Sequence, residues 1–104
     1  MKIIKDLSDM IADELDGAAH YARYAIQHKV DHPELASVLY DISKPEMHHV
    51  NLLHDEVVKV IKSYREKHGE PPAAMQAIYD WQHARQIEDA KEVKILQDQY
   101  LDKM

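Results

Sequence analysis

A chain of 104 residues, 31% of them charged and 45% hydrophobic, has room for one small domain of about three helices and one modest core. Its formal charge of −6 disfavours nucleic acid and anionic membrane as partners, since both reward clustered lysine and arginine. With no cysteine, disulfides, thiolate zinc sites, iron–sulfur clusters and thiol nucleophiles are excluded. Eight histidines among 19 acidic residues direct any metal to imidazole and carboxylate ligands, a donor set that suits iron, manganese or zinc. No apolar run approaches the roughly 18 residues a membrane helix needs, and no signal-peptide pattern opens the chain, so a soluble cytoplasmic protein is the expectation.

Composition and punctuation predict an all-α chain of three helices, over about 6–30, 33–67 and 72–101. "VDHPELA" (30–36) separates the first two, with Asp31 as a plausible cap and Pro33 in a first turn. "KHGEPPAA" (67–74) separates the last two, with Gly69 as a stop and Pro71-Pro72 as a start. Lys62, Arg65, Lys67 and His68 crowd the end of helix two, where the helix dipole favours positive charge.

Helix one carries an inward stripe of Leu7, Ile11, Glu14, Ala18, Tyr21, Ala25 and His28, with a glutamate in its middle. Gly17 beside Ala18 would let another helix approach closely. Helix two gives Leu35, Leu39, Ile42, Glu46, His49, Leu53, Glu56 and Val60, again with acids inside the stripe. Helix three divides between a face with Trp81, Ala84, Glu88 and Ile95 and another with Tyr79, Ala90, Val93, Gln97 and Tyr100. Trp81 reads as a hydrophobic anchor for that helix. Burying carboxylates costs several kcal/mol unless each is paired, hydrogen-bonded or metal-bound, so Glu14 and Glu46 need a compensating group.

Two readings compete at "SKPEMHH" (43–49). In one, Ser43 caps a new helix, Pro45 sits in its first turn and Glu46 closes a capping box. In the other, a single helix runs through Pro45 with a kink, and Glu46 and His49, three residues apart, share one face and can hold the same ion. The apolar stripe keeps its phase across the proline, which favours the continuous helix. Counting back through the hairpin turn brings Glu14 to the level of this pair within about one helical turn. His48 points away and reads as a surface residue, as do His20, His32, His54, His68 and His83.

With "DELDGAAHY" holding Glu14 and Tyr21, "HPELASVLYDI" opening helix two and "EMHH" supplying Glu46-x-x-His49, residues 7–61 resemble the ferritin-like superfamily, in particular its rubrerythrin-like and encapsulated-ferritin-like members. The resemblance implies a carboxylate-bridged di-iron centre, with manganese or zinc as alternatives to iron. That centre takes one glutamate from each of two helices and a Glu-x-x-His from each of the other two. This chain carries one of each and no second Glu-x-x-His. The implied architecture is a long antiparallel hairpin plus a third helix, whose four-helix core is completed by homodimerisation. Two ions per dimer would be held by Glu14, Glu46 and His49 of both copies. The implied activity is oxidation of Fe(II) by oxygen or peroxide. Tyr21 is then either a hydrogen-bonding or redox-active phenol near the metals, or an ordinary core tyrosine. Glu56 reads mainly as an interface glutamate. Set against the iron reading are a non-catalytic metal-binding role and a metal-free helical scaffold.

Overall fold

The structure, a computed structural model, describes residues 2–102 and is helical throughout, with no strand among the described residues. Helix α1 spans Lys2–Gln27, α2 spans Pro33–His68 and α3 spans Ala73–Leu101. The expected limits therefore hold to within a few residues, and the punctuation acts as expected at most of them. Pro33 opens α2, where its missing N–H leaves no helical bond unmade. Gly69 closes α2 at φ +76, a conformation a side chain disfavours, and donates its N–H to the Arg65 carbonyl at 2.9 Å. Asp31 is not the cap: the N-cap position is His32, with no side-chain cap bond, and the Asp31 carboxylate faces His28 instead.

Helix α2 runs through Pro45 without a break. An interior proline costs about 3 kcal/mol, so the packing on either side of it must hold the helix together. Ser43 contributes to this. It is fully buried rather than capping, its hydroxyl donates to the Ala18 carbonyl of α1 at 2.9 Å, and it accepts from Gln97 Nε2 of α3 at 2.9 Å. Ser8 makes a matching link, donating to Gln82 Oε1 at 3.1 Å and accepting from Gln86 Nε2 at 2.8 Å. Two buried serines thus receive glutamines from α3.

Helices α1 and α2 form an antiparallel hairpin in which Ala18 lies beside Ser43, Gly17 beside Glu46 and Glu14 beside His49. Helix α3 packs mainly on α1 and runs parallel to it, pairing Ser8 with Gln86, Arg23 with Glu92 and Lys29 with Tyr100. The bundle measures 56 × 18 × 18 Å, and its radius of gyration is 16.8 Å. A compact chain of this length has a radius near 13 Å, so the molecule is a rod with a thin core. That core joins Ile11, Leu15, Ala18, Ala19, Val50, Val57 and Val93 from all three helices.

On α1 the buried line shares Ile11, Ala18 and Ala25 with the expected stripe, but Ser8, Leu15 and Ala22 are buried in place of Leu7, Glu14 and Tyr21, each one position further along. On α2 the buried residues are Ala36, Ser43, Val50 and Val57, each one position beyond Leu35, Ile42, His49 and Glu56. One residue is about 100° around a helix. The expected stripe on α2 therefore flanks the buried line: Leu35, Ile42, His49 and Glu56 are exposed, while Leu39, Glu46, Leu53 and Val60 are half-buried. Helix α3 resolves in favour of Tyr79, Ala90, Val93, Gln97 and Tyr100, which pack inward or toward α2. Trp81 is not an anchor; it is 62% exposed, with the Arg85 guanidinium 5.6 Å from its ring centroid.

Candidate metal centre

Glu14, Glu46 and His49 lie together at one level of the hairpin. Ala18 presents its carbonyl to Ser43, Gly17 leaves room for the Glu46 side chain, and the continuity of α2 through Pro45 sets Glu46 and His49 on one side of that helix. His49 Nδ1 lies 3.3 Å from Glu14 Oε2, placing an imidazole–carboxylate pair across the two helices. Both members are partly open, the side chains being 51% exposed for His49 and 33% for Glu14.

Glu46 differs from both. Its Oε2 is buried and has no hydrogen-bond partner. A Cβ placed on Gly17 would lie 2.6 Å from that oxygen, so the glycine leaves the space the carboxylate occupies. Gly17 thus admits a carboxylate rather than only a closer helix. Burial pushes the Glu46 carboxyl above its ordinary value, the adjacent Glu14 carboxylate pushes it further, and His49 pulls in the opposite direction. An acid raised by both burial and a second acid is one that a bound cation would stabilise.

The three side chains are neighbours without forming a closed ligand cluster within one chain: their donor atoms do not all come within 4.8 Å of one another. Tyr21, two turns along from Glu14, makes no hydrogen bond to any of the three among the described residues. It lines an open cleft with Gly17, Arg23 and Glu92. Glu56 pairs with Lys59 at 3.1 Å on the exposed surface.

A separate apolar cleft of about 510 Å³ lies toward the other end of the rod, lined by Ile4, Ile61, Pro71, Met75 and Tyr79 among others. Ile61 is 12 residues beyond His49, about 18 Å along α2. The Tyr79 phenol in that cleft is raised by burial first and by Asp80 second, with Arg65 opposing, so it stays protonated near neutral pH. The cleft offers mainly apolar surface, with Lys2 and Lys5 also in its lining.

Among the described residues, the donor set that draws together within one chain is His28, Asp31 and His32, at the hairpin turn. The sequence signal for it is His-x-x-Asp-His, in which His28 lies on the expected inward stripe, Asp31 reads as a cap and His32 as a surface residue.

Comparison of the chain with family models, with curated proteins and with solved structures finds no match to any of them.

Proposed function

We propose that this protein is a di-iron carboxylate protein whose metal centre is completed by a second copy of the chain, and that it oxidises Fe(II) with oxygen or peroxide. The observation that carries the reading is the Glu46 carboxylate, whose buried Oε2 lacks a partner beside a second carboxylate and an imidazole. A buried acceptor with no donor is destabilising by about 1–3 kcal/mol, and a cation there would remove the penalty. The residues fit the metal: hard oxygen donors with one imidazole are the set that iron, manganese and zinc accept.

Three donors per chain are half of what a dinuclear centre needs, and two copies supply the remainder. Met10 and Tyr24 on α1, with Leu35, Ile42 and Leu52 on α2, leave apolar surface exposed along the same hairpin, which a second hairpin would cover. Glu14, Glu46 and His49 of both copies would hold the two ions. Iron held there would supply one electron from each of two ferrous ions, enough with two protons to reduce a peroxide to two waters. The carboxylates hold the ferric product, whose higher charge favours anionic oxygen ligands.

The Glu14–His49 contact favours a second reading, because these two groups already satisfy each other without a metal. On that reading the chain is a helical scaffold, or binds metal without turnover. Anaerobic loading with ferrous iron followed by peroxide separates the readings. The di-iron reading expects about two irons per dimer, peroxide consumed with their oxidation, and both lost in Glu46→Ala. Full loading in Glu46→Ala would reject the assignment. Loading without peroxide consumption would favour the non-catalytic role, and melting indifferent to chelator the metal-free scaffold.

A further inference from the structure

The end of the rod that carries the α1–α2 turn holds a second constellation, which the proposed iron chemistry does not use. Beyond Gln27 the chain continues for one more helical turn, closed by the His32 N–H donating to the His28 carbonyl at 2.9 Å. That bond sets His28 and His32 four residues apart on one side of the turn, their ring centroids 5.7 Å apart. Asp31 lies between them. Its Oδ2 is 3.4 Å from His28 Nδ1 and 3.9 Å from His32 Nε2. One donor atom from each of the three residues lies within 4.8 Å of the others.

Two further features suit this constellation to an ion. The turn is anchored, because Lys29 reaches the far end of α3 and donates to the carbonyls of Tyr100 and, at 2.7 Å, Asp102. The same reach directs the nearest lysine away from Asp31, whose ion-pair partners among the described residues are the two histidines. The rings are also positioned from below by an aromatic ladder. Tyr24 packs against His28 at 5.4 Å and His20 against Tyr24 at 5.3 Å, in steps of four residues along α1.

We propose that His28, Asp31 and His32 form an exchangeable site for one divalent transition-metal ion of the zinc, nickel or copper class. Two imidazoles with i, i+4 spacing are a natural pair of ligands for such an ion, and a carboxylate supplies the third donor and a negative charge. The absence of sulfur and the presence of two nitrogens favour this class over calcium or magnesium, which prefer oxygen donors throughout. Three protein ligands at an exposed turn leave coordination positions to water, so the ion exchanges with solvent. The site is distinct from the centre at Glu14, since His28, in the helical turn that continues α1, lies 14 residues further on, about 21 Å away. It does not depend on iron chemistry there.

The test is calorimetric titration of the full chain with zinc chloride, in wild type and in Glu46→Ala, which removes the proposed interior ligand. Both should bind one zinc ion per chain at the turn. His28→Ala and His32→Ala should each weaken that binding about tenfold or more, at least what losing a supporting residue costs, whereas His68→Ala should leave it unchanged. Paramagnetic nickel gives a readout independent of stability. Resonances of His28, Asp31 and His32 should broaden at lower nickel concentration than those of His68. Zinc affinity unchanged by His28→Ala and His32→Ala, or equal nickel broadening at His68, would overturn the proposal.

Discussion

Gly17→Ala should act in opposite directions on stability and on metal binding. In the middle of α1 the glycine costs about 0.8–1 kcal/mol relative to alanine, so the substitution gains that much if nothing else moves. Something must move, because the new Cβ would lie 2.6 Å from Glu46 Oε2, and ordinary contact begins at 3.4 Å, a difference of 0.8 Å. The atom in the way is the tip of a flexible side chain and makes no hydrogen bond that its retreat would break. A carboxylate raised by burial also gains hydration as it withdraws. In chelator, the variant should therefore be more stable by about 0.5–1 kcal/mol, or about 2–8 °C in melting temperature for a domain of this size. Iron binding should weaken, because the displaced oxygen no longer faces Glu14 and His49. Circular dichroism melts at fixed protein concentration, with and without chelator, measure the first effect, and anaerobic ferrous titration measures the second. A variant that melts lower in chelator would mean the helices pack on Gly17 itself. Unchanged iron affinity would mean that the Glu46 position is not part of a metal site.

The pH dependence of Glu46 has a definite sign. Its carboxyl is raised in the folded state above the ordinary value of 4.5, so the native metal-free protein binds more protons than the unfolded chain in the window just above that pH. Glu46's contribution to stability should therefore be greatest below pH 4.5 and fall as pH rises through the folded value, and Glu46→Gln should remove this component while stabilising the metal-free protein near neutrality. Denaturant titrations across that range, wild type against variant, read it directly; a component that grows with pH would refute it. Ser43→Ala removes the acceptor for Gln97 and the donor to Ala18 in a fully buried position and should cost about 1–3 kcal/mol by urea unfolding. Leu15→Ala, which empties one of the few large, fully buried apolar positions, should cost about 2–5 kcal/mol in the same assay. Pro45→Ala restores a helical N–H and should stabilise the chain by up to about 3 kcal/mol, visible as a higher denaturant midpoint.

The helices were legible because their ends are marked by residues with strong backbone preferences, above all Gly69 and the prolines at 33 and 71–72. The continuity of α2 was legible from stripe phase, although its absolute direction was not. Large side chains dominate a reading by hydrophobicity, whereas part of the contact between α1 and α2 runs through small residues, Ala18 against Ser43 and Gly17 against the Glu46 side chain. Leu35 and Ile42 then fall to the outside. Helix α3 was ambiguous because part of its docking is polar, through Gln82, Gln86 and Gln97 onto buried serines. Glutamines look like surface residues until their partners are known. The proximity of Glu14, Glu46 and His49 followed from counting along the hairpin, since antiparallel helices keep a fixed register. The His28–Asp31–His32 cluster was not legible because the stripe turns His28 inward while Asp31 reads as a cap and His32 as a surface residue, whereas the bond from the His32 N–H to the His28 carbonyl gathers the three at one turn.

Native mass spectrometry of protein equilibrated anaerobically with ferrous iron tests the central claim most directly, since it reads assembly and metal content together. The account predicts a dimer carrying about two irons, and an iron-free species when Glu46 is replaced by alanine. A monomer without iron, or a dimer whose iron content is unaffected by Glu46→Ala, would contradict it.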